Sequence, residues 1–131
     1  MGMPVVHFEV LGKDESGGEA LMGFYTGMFD WKIDADNPIG YGSIAREGNQ
    51  TEDGVGIGGG IMAAPGEMGG HVTFYVEVPD IEAALDKAAE LGGERLMGPD
   101  QVPGGPIIGT FRDPSGNMVG VIQKGSNPAA Y

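Results

Sequence analysis

Apolar positions along this chain fall into two periods, and the order in which the periods alternate occurs twice. From Val5 to Leu11 the alternation is that of a strand, with Val6, Phe8 and Val10 on one face and Val5, His7, Glu9 and Leu11 on the other. Ser16 followed by Glu19 then reads as a capping box, and Leu21, Phe24, Tyr25 and Met28 recur at helical spacing up to about Asp30. Trp31 to Ala35, Tyr41 to Arg46 and Val55 to Ala63 are expected to be three strands between polar turns that carry Gly and Pro.

The second half begins again with a strand, His71 to Val78, in which Val72, Phe74, Val76 and Val78 oppose His71, Thr73, Tyr75 and Glu77. Asp80 is placed to cap a helix whose apolar positions Ile81, Ala84, Leu85, Ala88 and Leu91 keep a helical period until Gly92-Gly93. Short strands are expected around Arg95 to Met97, Ile107 to Arg112 and Met118 to Gln123. The fold class is therefore α+β. Two tandem βαβββ modules, at about 4–64 and 71–125, are joined by a connector at about 65–70 within one domain of 131 residues.

Between the last two strands, Asp113-Pro114-Ser115-Gly116 has the residues of a tight turn. Asp113 can bond its own backbone, Pro114 presets φ at the first corner, and Gly116 tolerates the positive φ that follows. This turn, the repeated element order, Val6-His7-Phe8, Phe24-Tyr25 with Met28-Phe29-Asp30-Trp31, and Val76-Glu77-Val78-Pro79-Asp80-Ile81 together resemble the vicinal oxygen chelate superfamily of glyoxalases, bleomycin-resistance proteins and dioxygenases. The resemblance runs from Val5 to Lys124 and implies a curved mixed sheet, helices on its outside and a concave pocket within.

Strand alternation says which residues face such a pocket. If Val6, Phe8, Val10, Val72, Phe74, Val76, Val119 and Val121 pack against the helices, then His7, Glu9, Thr73, Tyr75, Glu77, Met118 and Gly120 point the other way, with His71 at the edge. The resemblance implies a divalent ion held by one ligand from the first and one from the last strand of each module, acting as a Lewis acid. His7 matches the first of these positions; the matching position of the second module falls on Thr73, two residues from His71. The acidic positions do not match, because no Asp or Glu lies between Val55 and Ala64 and the last-strand position is Gly120. Glu9 or Glu77 would have to substitute for them.

Charge and composition narrow the function further. A formal net charge of −12 argues against nucleic acid or an anionic membrane as partner. The absence of cysteine removes disulfides, thiolate zinc sites and thiol nucleophiles, and no secretory signal is visible, so a cytoplasmic location is expected. Gly54-Val55-Gly56-Ile57-Gly58-Gly59 matches a dinucleotide-binding glycine pattern but lacks the strand before it and the helix after it, and is read as a glycine-rich strand open to close approach.

The expected function is binding of a small molecule, without cofactor or metal, in a pocket lined by His7, Glu9, Thr73, Tyr75 and Gly120. No catalytic residue is assigned. A divergent metal-dependent lyase, isomerase or dioxygenase, a metal-free catalyst moving protons through His7 or Glu9, and a structural or regulatory dimer with a vestigial pocket are the other readings. A homodimer is expected, since twofold association covers sheet edges.

Overall fold

The structure, a computed structural model, describes residues 2–13, 18–64 and 69–127. The proposed cap Ser16 and residues 65–68 of the connector lie outside them. Strand β1 (Val5–Gly12), helix α1 (Gly18–Phe29) and strands β2 (Ile33–Asp34), β3 (Gly42–Ile44) and β4 (Gly58–Ala63) are followed by β5 (His71–Val78), α2 (Ile81–Glu90), β6 (Glu94–Gln101), β7 (Ile107–Arg112) and β8 (Met118–Gln123). The βαβββ order thus occurs twice, as the sequence predicts. The described residues form two compact units, one of residues 7–72 and one of residues 73–127 together with 2–6.

Each unit solves the same pairing problem in the same way. In the first, the strand order is β2-β3-β4-β1, with β1 parallel to β4 and the other pairs antiparallel. In the second it is β5-β8-β7-β6, again with the first strand parallel to the last. A parallel pair needs a long crossover, and in each unit the chain between the paired strands supplies it with a helix and two strands.

Helix α2 forms where the sequence places it. Asp80 Oδ1 accepts the Ala83 N–H at 3.2 Å, satisfying one of the amides that a helix start leaves unpaired. Its buried side is Ile81 and Leu85, packed with Val78 and Val121; full burial of Leu85 stabilises the unit by about 2–3 kcal/mol. The β7–β8 turn also matches its sequence. Asp113 Oδ1 accepts from the amides of Ser115 (2.8 Å) and Asn117 (3.0 Å), and Gly116 sits at φ 89°. Bonds from the Asn117 side chain and then its backbone hold the Asp113 carboxyl below its ordinary value.

In the first unit Val10, Ile44 and Ile61 form the core, with Phe8, Leu21, Met22, Tyr25 and Trp31 packed around them. Trp31, expected to open β2, instead precedes it. Its ring stacks on Tyr25 at 5.6 Å and meets Phe8 at 5.4 Å, so the indole belongs to the α1 cluster and the strand starts later. Strand β6 is longer than expected, because register shifts between Arg95 and Asp100 accommodate Gly98 and Pro99 without ending the ladder.

One expectation about faces fails. Val72 and Phe74 do not pack under a helix: they are 72% and 42% exposed, and the cluster beneath α2 takes only Val76 and Val78 from β5. On the opposite face of β5 and β8, Thr73, Tyr75, Met118 and Gly120 are all buried.

Candidate functional site

In the first unit the face of β1 opposite Phe8 and Val10 presents His7 and Glu9. Glu9 pairs with Gly60 of β4. Over that glycine lies the ring of Tyr41, so close that a β-carbon at position 60 would overlap it. Glycine is required there for packing, not for a turn. Tyr41 is set in place by Asn37, whose Oδ1 accepts the Tyr41 N–H at 2.9 Å and whose Nδ2 donates to the Tyr41 carbonyl at 2.7 Å.

So held, Tyr41 joins the two strand residues. Its hydroxyl donates to Glu9 Oε2 at 2.7 Å and lies 2.9 Å from His7 Nε2, with the His7 and Tyr41 rings near parallel at 6.2 Å. A phenol has one proton. With that proton on the bond to Glu9, the oxygen accepts from His7, which assigns the Nε2–H tautomer to the imidazole. Burial pushes the His7 pKa down to about 4, so the ring is neutral at neutral pH. The chain of bonds therefore runs in one direction, His7 N–H to Tyr41 O–H to Glu9.

The remaining expected residues lie in the second unit. Thr73 Oγ1 donates to the Met118 carbonyl at 2.7 Å, which ties β5 to β8. Tyr75 pairs with Gly120, and a β-carbon on that glycine would stand 2.5 Å from the Tyr75 ring. Gly120 is thus the counterpart of Gly60: in each unit a tyrosine ring covers a last-strand glycine. From the sequence Tyr41 reads as a ligand contact or, at least as well, as aromatic packing, and Thr110 is not marked as a site residue. The contact from Tyr41 spans 34 and 32 residues and has no local signal. Thr110, paired with Gly120, has only the alternation of β7 to suggest which face it takes.

The ion that the family implies needs lone pairs converging on one point. Here His7 Nε2 is directed at a phenol, and Gly60 and Gly120, the strand positions beside Glu9 and Tyr75, offer no donor. Among the described residues no three His, Asp or Glu side chains are grouped to hold a metal. This donor set does not fit a divalent ion.

Close along the chain to Tyr41, a cleft of about 430 Å³ opens in the same unit, lined by Gly18, Glu19, Met22, Ile39, Gly40 and Met62 among others. Glu19 is its one charged residue, so the cleft suits an apolar or neutral body. No helix among the described residues is long and apolar enough to cross a membrane.

Known proteins share this architecture. Putative glyoxylase CFP32 of Mycobacterium bovis and of Mycobacterium tuberculosis are each 30% identical over 102 residues, which cover 76% of this chain and 39% of theirs. The chain therefore spans well under half the length of these curated relatives. A methylmalonyl-CoA epimerase structure in complex with methylmalonyl-CoA covers 95% of the chain and 97% of its own at a TM-score of 0.61 and 14% identity. The epimerase of Mycobacterium tuberculosis covers 91% and 86% at 0.59 and 12%. At such identities these structures show the fold alone. The profile of the Glyoxalase/Bleomycin resistance protein/Dioxygenase superfamily matches residues 16–121, and to that superfamily the chain belongs.

Proposed function

We propose that this chain is a small-molecule-binding module that works without a divalent ion, through the hydrogen-bonded series His7–Tyr41–Glu9. The observation that carries the reading is the Tyr41 hydroxyl, 2.7 Å from Glu9 and 2.9 Å from His7, with its ring over Gly60 of a strand that carries no Asp or Glu. A neutral imidazole and a buried carboxyl linked through a phenol form a polar, proton-bearing site. Metal analysis of protein purified without chelator, followed by a thermal-shift screen of native chain against Tyr41→Phe, tests this. Ligands that stabilise only the native chain, with no stoichiometric metal, are the expected result; one firmly bound divalent ion per chain overturns the reading.

The same site offers a route for proton transfer, which keeps a metal-free catalyst as the second reading. A proton taken from a ligand at His7 Nδ1 can be matched by the Nε2 proton passing to Tyr41 and the Tyr41 proton passing to Glu9, which leaves a neutral imidazole, an intact phenol and a protonated carboxyl. Solvent deuterium exchange at an acidic C–H of a bound ligand, lost in Tyr41→Phe, would favour catalysis over binding.

We also propose a homodimer. Phe24 and Met28, a helical turn apart on α1, are both 58% exposed, and this helix has no fully buried residue. An apolar helix face of that kind calls for a cover. Sedimentation should give twice the chain mass, and Phe24→Glu with Met28→Glu should give a folded monomer.

A further inference from the structure

Strand β4 outruns its neighbour on one side. The β3–β4 ladder ends at the pair Gly42–Ile61, whereas β1 stays paired with β4 through Met62 and Ala63. Ahead of Gly42 the chain is a turn and not a strand, and the cleft of about 430 Å³ lies between that turn, the end of β4 and the start of α1. A volume in the range of about 300–1,000 Å³ is that of a small-molecule site.

Each wall has a fixed position. Asn37 Oδ1 accepts the N–H of Ile39 at 3.3 Å and of Tyr41 at 2.9 Å, and the Asn37 carbonyl accepts the Gly40 N–H at 3.2 Å, which holds the turn. Ile39 is 43% exposed there, an apolar side chain kept at the rim. Met22 comes from α1 and packs on the Val10–Ile44–Ile61 core with its methyl over Gly42, and Met62 comes from β4. His7, Glu9 and Tyr41 do not line the cleft. Glu19, in the first turn of α1, is the one charged residue of the described lining.

We propose that this cleft is a second ligand site, one that takes an aromatic ring carrying a short alkylammonium arm. The apolar ring rests on Met22, Met62 and Ile39, and the two thioethers favour it over an aliphatic body of the same size. The ammonium at the end of the arm meets Glu19. The first-turn amides of α1 favour an anion, but Glu19 already answers them, and the net charge of −12 draws a cation and repels an anion. This site does not depend on the reading of His7, Tyr41 and Glu9.

Phenethylammonium, phenethyl alcohol and phenylacetate share a ring and differ in the charge at the end of the arm, which makes them the probes. In the native chain phenethylammonium should bind most tightly and move the Met22 and Met62 methyl resonances, while the His7 ring resonances stay in place. Glu19 is exposed, so Glu19→Gln should weaken the cation by about two- to fivefold and leave the alcohol as it was. Ile39→Ala removes part of the apolar wall and should weaken cation and alcohol alike. Both substitutions fall on exposed side chains, so the variants should fold as the native chain does. The proposal is overturned if the cation leaves both methionine methyls unmoved, if it moves the His7 ring instead, or if phenylacetate binds as tightly. It is also overturned if Glu19→Gln binds the cation as well as the native chain or weakens the alcohol equally, or if Ile39→Ala changes nothing.

Discussion

Replacing Tyr41 by Phe removes one oxygen and leaves the ring on Gly60 in place, so it isolates the hydroxyl. That oxygen makes a 2.7 Å bond to Glu9, which is only 8% exposed, and a 2.9 Å bond to the part-buried His7. A bond to a neutral partner contributes about 1 kcal/mol, and one to a carboxylate about 1.5–3 kcal/mol, so a loss of about 2–4 kcal/mol is expected. For a chain of this size that moves a urea midpoint down by about 1–2 M with an unchanged slope. The bonds run through one atom, so the two losses are coupled: in a Glu9→Gln background the further loss on Tyr41→Phe should shrink by at least about 1 kcal/mol. Circular dichroism along a urea series, with all four chains of the cycle, is sufficient. A Tyr41→Phe midpoint within about 0.2 M of the native chain would refute the reasoning, because a series worth so little could neither fix the tautomer of His7 nor organise a site.

Gly60→Ala should cost more than about 2 kcal/mol in the native chain and much less in a Tyr41→Ala background, since the added methyl overlaps the tyrosine ring; equal losses in the two backgrounds would contradict the packing. His7 titrates near 4 in the fold against an ordinary 6.5, so the unfolded chain takes up the proton first. The associated stability is present above pH 6.5 and is lost as the pH falls towards 4, to an upper value of about 3 kcal/mol; urea midpoints across that range should fall less in His7→Gln. Leu85→Ala, at a site with 0% exposure, should cost about 2–5 kcal/mol, and a loss below 1 kcal/mol would mean α2 does not seal the second core.

Most of the fold was legible because strand and helix signals here are local. The alternation of His71 to Val78, the cap at Asp80 and the turn at Asp113 each act within a few residues, and each appears in the structure where the sequence places it. What the sequence could not show was depth. Parity placed Val72 and Phe74 on the helix side, yet α2 is ten residues long and its cluster takes only Val76 and Val78 from that strand, so the earlier apolar residues stay exposed. The site was legible by halves. His7, Glu9, Thr73, Tyr75 and Gly120 could be read from alternation, whereas the partner that turns His7 and Glu9 into a unit comes from an irregular segment fixed by Asn37. The glycines of β4 carried a signal open to two readings. Their purpose is room for the rings of Phe8 and Tyr41, not a phosphate.

The central claim is that His7 is a neutral member of a hydrogen-bonded series and not a metal ligand. Long-range proton–nitrogen NMR correlation of the His7 ring, recorded near neutral pH with chelator and again with excess zinc, measures this at the atoms concerned. The account requires a neutral ring with the proton on Nε2 in both spectra, and a change of tautomer in Tyr41→Phe. A ring that is protonated near pH 6.5, or whose Nε2 resonance moves to a metal-bound position on adding zinc, would contradict it.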